Sequence, residues 1–269
     1  FLTVSDITAN ECKYLLGRGV DGVTPNGFED GFVWRGEEFD RRRAAARGAL
    51  IRVAEACLGR KYGREPLIVG TSGRYEFRNK GLDVFLAALK RLAADPLLDR
   101  EVLAYITVPA ANAGPRKDLQ ARLADPSLAV DAAQYPFATH CLENMAWDPI
   151  VGALNDSVLV APDSKVRVIF VPTYLNGADG IFDMNYYELL AGMDVTVFAS
   201  YYEPWGYTPL ESVAFSVPTL TTTLAGFGLW VNRLREHPGV EVVRRDDYND
   251  RQVEEAVADA LLRFTRLDA

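Results

Sequence analysis

A short apolar run, Asp194-Val195-Thr196-Val197-Phe198-Ala199-Ser200, passes without a break into Tyr201-Tyr202-Glu203-Pro204-Trp205-Gly206-Tyr207-Thr208-Pro209-Leu210-Glu211. The first segment is β-branched and apolar, as a fully buried parallel strand requires. The second turns at Pro204 and Gly206 and then resumes with helix-forming residues. Thr208 is expected to act as N-cap, with Pro209 at the first helical position, where its missing N–H does no harm, and Glu211 completing a capping box.

This junction has a chemistry. The N–H groups around Gly206, Tyr207 and Thr208 are expected at the carboxyl edge of a sheet, where a helix N-terminus carries roughly half a positive charge and attracts phosphate. Glu203 stands beside that anion site and, as a carboxylate, accepts hydrogen bonds from hydroxyls. A phosphate-linked polyol such as a sugar nucleotide suits both groups at once. Read by themselves, Glu203 and Glu211 are equally well a loop charge and a capping residue.

A second strand-loop-helix unit runs from Leu67-Ile68-Val69 through Gly73-Arg74-Tyr75-Glu76-Phe77-Arg78-Asn79-Lys80-Gly81 to Leu86. Arg74 and Lys80 are fixed cations in its loop, the first able to grip phosphate oxygens in bidentate fashion, the second a point charge. Arg78 is a weaker third candidate. Taken singly each is a solvated surface charge, but two such units at one sheet edge argue for a shared ligand.

With these residues in hand, the chain resembles the glycogen synthases of the animal and fungal type. The resemblance is carried by Gly73 through Gly81, Tyr201 through Glu211 and Thr221 through Gly228, with support from Val4–Glu11, Val23–Gly27 and Val168–Asn176. It covers about three quarters of the chain, and the eleven residues from Tyr201 are its most specific part. It implies a retaining glucosyltransferase of the GT-B architecture, which has two Rossmann-like domains and uses UDP-glucose. Carried over residue by residue, Arg74 and Lys80 match the cations on the donor diphosphate. Glu203 matches the first glutamate of the Glu-x7-Glu motif, near the reacting sugar carbon, and Glu211 the second, toward the nucleotide side. Gly206, Tyr207 and Thr208 match the backbone phosphate cradle. Tyr186 matches an aromatic that stacks on the uracil; read without the family, it is an ordinary tyrosine of an amphipathic helix.

The resemblance further implies that residues 1–27 end a first domain and cross into the second, so that 28–269 form the nucleotide-sugar-binding Rossmann-like domain. The acceptor domain and its histidine would lie upstream. Such a half should bind donor without turning it over. The arginine-rich regulatory helix of the family has no counterpart before Ala269, which puts control by a sugar phosphate in doubt.

Composition agrees. Of 269 residues 49% are apolar, enough for a substantial core. The formal charge of -8 argues against a nucleic-acid surface. No stretch of about 18 apolar residues suggests a membrane span and no signal-peptide pattern is present. Cys12, Cys57 and Cys141 form no paired or metal spacing and read as reduced, mostly buried thiols of a cytoplasmic protein. The two histidines, His140 and His237, join no metal-ligand cluster, so no metal or other cofactor is expected, only the sugar-nucleotide substrate and an α-glucan acceptor.

The fold class expected is α/β: a Rossmann-like parallel sheet with helices on both faces. Strands are placed at Leu67–Val69, Val102–Val108, Val166–Val171, Val195–Ala199 and Pro218–Thr221, and helices at 36–58, 82–93, 186–191 and 250–262. The triplet Arg41-Arg42-Arg43 reads as a solvated helix face. Between Pro109 and Asp163 the periodicity weakens; a helical insertion is expected there, which the resemblance makes a surface for homo-oligomer contacts, with His140 a core or interface residue.

The mechanism implied is departure of the diphosphate with its charge held by Arg74, Lys80 and the helix N-terminus, and front-face attack by a glucan 4-hydroxyl with retention. Two alternatives stand beside it. One is another GT-B enzyme, such as an ADP-glucose-dependent starch or glycogen synthase or a sucrose- or trehalose-type transferase; Tyr201-Tyr202 and Trp205-Gly206-Tyr207 favour the animal and fungal type. The other is a non-catalytic nucleotide- or glucan-binding module.

Overall fold

The computed structural model describes residues 1–128 and 135–267. The chain begins with a small parallel pair, β1 (Leu2–Thr3) and β2 (Gly22–Val23), joined by α1 (Asp6–Leu15), which Ser5 caps in a box with Thr8. A long helix, α2 (Gly36–Leu58), ends at Gly59 in the left-handed conformation. It leads into β3 (Leu67–Ser72), α3 (Leu82–Ala93) and β4 (Val102–Thr107).

The next stretch holds β5 (Asn112–Pro115), α4 (Lys117–Ala124), β6 (His140–Leu142) and α5 (Pro149–Leu154). Then follow β7 (Val166–Phe170), α6 (Tyr186–Ala191), β8 (Val195–Val197), α7 (Tyr207–Ala214), β9 (Thr219–Thr222), α8 (Gly226–Val231), β10 (Val240–Val243) and α9 (Asp250–Thr265).

Six strands form one parallel sheet in the order β10-β9-β8-β3-β4-β7. All but the edge strand β10, which is half-buried, are buried on both faces, and alternate residues feed two cores. Leu67, Val69, Val102, Ala104 and Val168 pack under α3 and α9, while Ile68, Leu103, Tyr105 and Ile169 pack under α2 and α6. This is the doubly wound, helix-on-both-faces fold expected, and it explains why the strands read as continuous apolar runs.

From β3 the chain first moves outward to β4 and β7, then returns past β3 to β8, β9 and β10. The order therefore reverses between β3 and β8. In open parallel sheets that reversal leaves a crevice at the carboxyl ends, where ligands bind.

Several expectations need correction. The segment 109–163 is not simply helical: β5 and β6 pair as an antiparallel ribbon, and short 3-10 turns at Met145–Trp147 and Val158–Val160 accompany α4 and α5. The ribbon is anchored by the Asn112 amide, which donates to the Pro172 carbonyl at 2.8 Å, a long-range bond that local periodicity does not report. Residues 129–134 of that segment lie outside the described residues.

The triplet is a solvated face only at Arg41. Arg42 lies over the Trp34 ring and pairs with Glu188, and Arg43 donates to the Ala191 and Met193 carbonyls and to Asp194. Of the cysteines only Cys57 is buried; Cys12 is half-buried and Cys141 exposed. His140, by contrast, is the core residue expected: it is 1% exposed, bonded between the Thr139 hydroxyl and the Asp179 carbonyl, and burial lowers its pKa so that the ring stays neutral.

Candidate donor site at the carboxyl edge

The loop after β3 and the loop after β8 meet at the crevice. Gly81, in the left-handed conformation at the N-terminus of α3, lies so close to the end of β8 that a Cβ there would sit well inside contact distance of the Ala199 carbonyl oxygen. Only glycine permits both the positive φ and this approach. The Tyr201 amide donates to the Asn79 carbonyl at 2.8 Å, joining the two loops directly.

The consequence is a side-chain contact across 123 residues: Lys80 Nζ donates to Glu203 Oε2. Both side chains are well sheltered, at 14% and 17% exposure. A third segment holds Glu203 from behind. Its amide donates to the Leu224 carbonyl at 3.2 Å and its carbonyl accepts from the Gly226 amide at 3.0 Å, so the loop between β9 and α8 fixes the backbone that carries the carboxylate. A Cβ on Gly226 would clash with the Pro204 carbonyl, which is why a glycine stands there.

Helix α7 begins two residues earlier than expected. Gly206 is the N-cap, in the left-handed region at φ 105°, with no side-chain capping bond. Thr208 and Pro209 fall inside the first turn, and the expected capping box of Thr208 with Glu211 does not form. The reason is steric: Gly206 can reverse the chain immediately, whereas a Thr208 cap needs two more extended residues. The uncapped N-terminus keeps its first-turn N–H groups for another partner.

Thr208 also lines a cleft of about 280 Å³ together with Ser72, Gly73, Thr107, Asn176 and Tyr186. Tyr186, the first residue of α6, shares a 2.8 Å hydrogen bond with Ser72 at the end of β3. Its hydroxyl is pushed up mainly by burial and stays protonated. Glu211 is not a cap. It faces α6, where the Tyr187 hydroxyl donates to its Oε1 at 3.1 Å, and burial raises its pKa above the usual 4.5. Tyr187 in turn stacks on Phe215 with ring centroids 5.0 Å apart.

Lys80, Glu203, Gly206, Thr208, Tyr186 and Glu211 thus lie around one sheet edge. Tyr207 is half exposed at 49%. Arg74 stands apart: its side chain is 75% exposed and pairs with Glu76 at 3.1 Å rather than with the Lys80–Glu203 pair. Reasoning from sequence missed Ser72 and Tyr187. The available signal was a hydroxyl at the strand end and a tyrosine doublet at a helix start, and neither identifies its partner before the sheet order is known.

No metal-binding group of three or more His, Cys, Asp or Glu occurs among the described residues, and no helix among them is long and apolar enough to cross a membrane.

A parallel sheet with reversed strand order, two glycine-bearing loops at its carboxyl edge and a sheltered Lys–Glu pair between them define a Rossmann-like domain of the GT-B glycosyltransferase fold. The catalytic domain of starch synthase IV from Arabidopsis thaliana, a structure bound to ADP and acarbose, superimposes with a TM-score of 0.51 at 12% identity, over 99% of this chain and 48% of that one. The N-terminal domain of trehalose-6-phosphate phosphatase from Candida albicans gives 0.52 at 11% identity, over 100% of this chain and 50% of that one. These likenesses concern the fold alone.

The sequence is more specific. The family model described as glycogen synthase matches residues 1–118 and 128–268, and the chain belongs to the glycogen synthase family. Glycogen [starch] synthase of Neurospora crassa is 30% identical over 305 residues, covering 91% of this chain and 43% of the relative. The Homo sapiens liver enzyme is 30% identical over 91% of this chain and 43% of its own length, and isoform 2 of Saccharomyces cerevisiae is 28% identical over 96% and 46%. The chain therefore spans less than half the length of these relatives.

Proposed function

We propose that this chain is the donor-binding half of a retaining glucosyltransferase that moves glucose from UDP-glucose to the non-reducing end of an α-1,4-glucan. The observation that carries the reading is the Lys80–Glu203 pair, sheltered at the switch point beside the uncapped N-terminus of α7. A cation and a helix N-terminus side by side suit a diphosphate, and a carboxylate within reach suits sugar hydroxyls.

In the mechanism, Lys80 and the Gly206–Thr208 amides hold the charge that develops on the departing diphosphate. Glu203 orients the glucose hydroxyls and supports positive charge on the ring, while the incoming 4-hydroxyl attacks from the face the diphosphate leaves. Arg74 joins the diphosphate by swinging inward from Glu76, a rotation its exposure permits. Tyr186 closes the base side of the cleft and Glu211 receives the nucleotide side. Residues 1–27 serve as the crossover from the acceptor half, and the reaction runs without a metal or other cofactor in the cytoplasm. The segment 109–163 serves as a surface between subunits.

The first measurement is calorimetric titration of this chain with UDP, ADP and UDP-glucose, alongside the Lys80→Ala variant. Tighter binding of UDP than of ADP, lost in the variant, supports the reading. A preference for ADP would transfer the assignment to an ADP-glucose-dependent synthase, and no binding of either would leave a non-catalytic module.

A further inference from the structure

At the opposite edge of the sheet lies a second cleft, of about 360 Å³, lined by Arg52, Glu55, Ala56, Arg122, Leu123 and Leu128 among others. It is formed by the C-terminal half of α2 and by α4. Arg60, on the same wall, pairs with Glu101, the residue immediately before β4. That places the cleft at the amino ends of the strands, away from the donor site.

Its charge is not balanced. Asp118 accepts from two buried guanidinium groups, Arg116 Nε at 3.1 Å and Arg122 Nη2 at 3.1 Å. Arg116 disposes of its other protons well, since Nη1 donates to the Ala138 carbonyl at 2.8 Å. Arg122 does not: it is 4% exposed, and among the described residues its Nε and Nη1 have no hydrogen-bond partner. A buried guanidinium with two unpartnered donors at the wall of a cavity is costly unless something supplies oxygen atoms. Arg52 adds a cation at the exposed rim, while Lys61 is balanced by Glu55 at 2.6 Å. Ala56, Leu123 and Leu128 supply an apolar side.

The geometry points to a binding site in this cleft for a small organic oxyanion, with its phosphate or carboxylate on Arg122 and Arg52 and its apolar body against Leu123 and Leu128. Guanidinium forks match both anions in bidentate fashion, and the volume falls within the range of small-molecule sites. The site stands independently of the donor reading, because none of its residues belongs to the carboxyl edge.

The test is titration of the full-length protein with phenyl phosphate, benzoate and inorganic phosphate, each in a Lys80→Ala background so that phosphate capture at the donor site does not interfere. Saturable binding of phenyl phosphate or benzoate is expected, and whichever is tighter identifies the anion. Arg122→Gln should weaken it about ten- to a hundredfold, the range for hydrogen bonds to a charged group. Because Arg122 is buried, Arg52→Ala at the rim serves as the second variant and should weaken binding several-fold without unfolding. Absence of saturable binding, equal affinity in Arg52→Ala and the parent, or inorganic phosphate binding as tightly as phenyl phosphate would each overturn the assignment.

Discussion

Replacing Lys80 with alanine removes the only cation in contact with Glu203 among the described residues. The size of the effect follows from the surroundings. At 14% exposure Lys80 is sheltered but not dry, so an effective dielectric near 20 is appropriate, and a unit charge about 4 Å from a diphosphate oxygen then contributes about 4 kcal/mol. Part of this is already present with donor bound in the ground state. The portion that grows as the bond to glucose breaks is comparable to a single oxyanion-hole donor, about 3 kcal/mol, or a hundred- to thousandfold in kcat.

The assay is steady-state glucosyl transfer by the full-length enzyme carrying Lys80→Ala, Lys80→Arg or Glu203→Gln. Lys80→Ala should lower kcat/KM by about two to three orders of magnitude and weaken UDP binding, with Lys80→Arg recovering part of both. A Lys80→Ala enzyme with kcat/KM within about threefold of the parent would refute the charge argument, since no effect of about 3 kcal/mol can hide in such a ratio.

Three further outcomes follow from the geometry. Gly81→Ala drives a Cβ into the Ala199 carbonyl at a positive φ; it should lower stability by about 3 kcal/mol or more by chemical denaturation and abolish UDP binding, because the Lys80 loop separates from Glu203. Burial raises the pKa of Glu211, so the folded state holds its proton longer than the unfolded state, and stability falls as pH rises from the ordinary value of 4.5 toward the raised one. Glu211→Gln should remove that decline, gaining melting temperature relative to the parent at pH 7 and not at pH 4. Burial pushes the Cys57 thiol up to about 12, so a thiol reagent should label exposed Cys141 first and reach Cys57 only on unfolding.

Much of the site was legible because its chemistry is local. The turn at Gly206, the cation at Lys80 and the carboxylate at Glu203 each follow from a few adjacent residues, and the strands show themselves because burial on both faces leaves continuous apolar runs. The helix start was misplaced because a capping-box pattern at Thr208 competed with a glycine whose left-handed φ ends the turn sooner. Arg74 and Lys80, six positions apart on one loop, look equivalent in sequence, yet one pairs with Glu203 and the other with Glu76 in solvent.

What the sequence by itself determined, then, is five of the six strands of the main sheet with the helices that cover them, the two anion-binding loops and the family; the edge strand β10 and the β5–β6 ribbon were not read from it. Only the tertiary structure decided which groups meet: that Lys80 reaches Glu203, that Tyr186 bonds Ser72 and Tyr187 bonds Glu211, that Asp118 gathers the buried Arg116 and Arg122, and that Asp194 pairs with half-buried Arg43 and buried Arg47. The physical reason is that a parallel sheet places residues by strand order. The reversal between β3 and β8 joins loops 123 residues apart, and nothing in the local pattern of either loop records that neighbour.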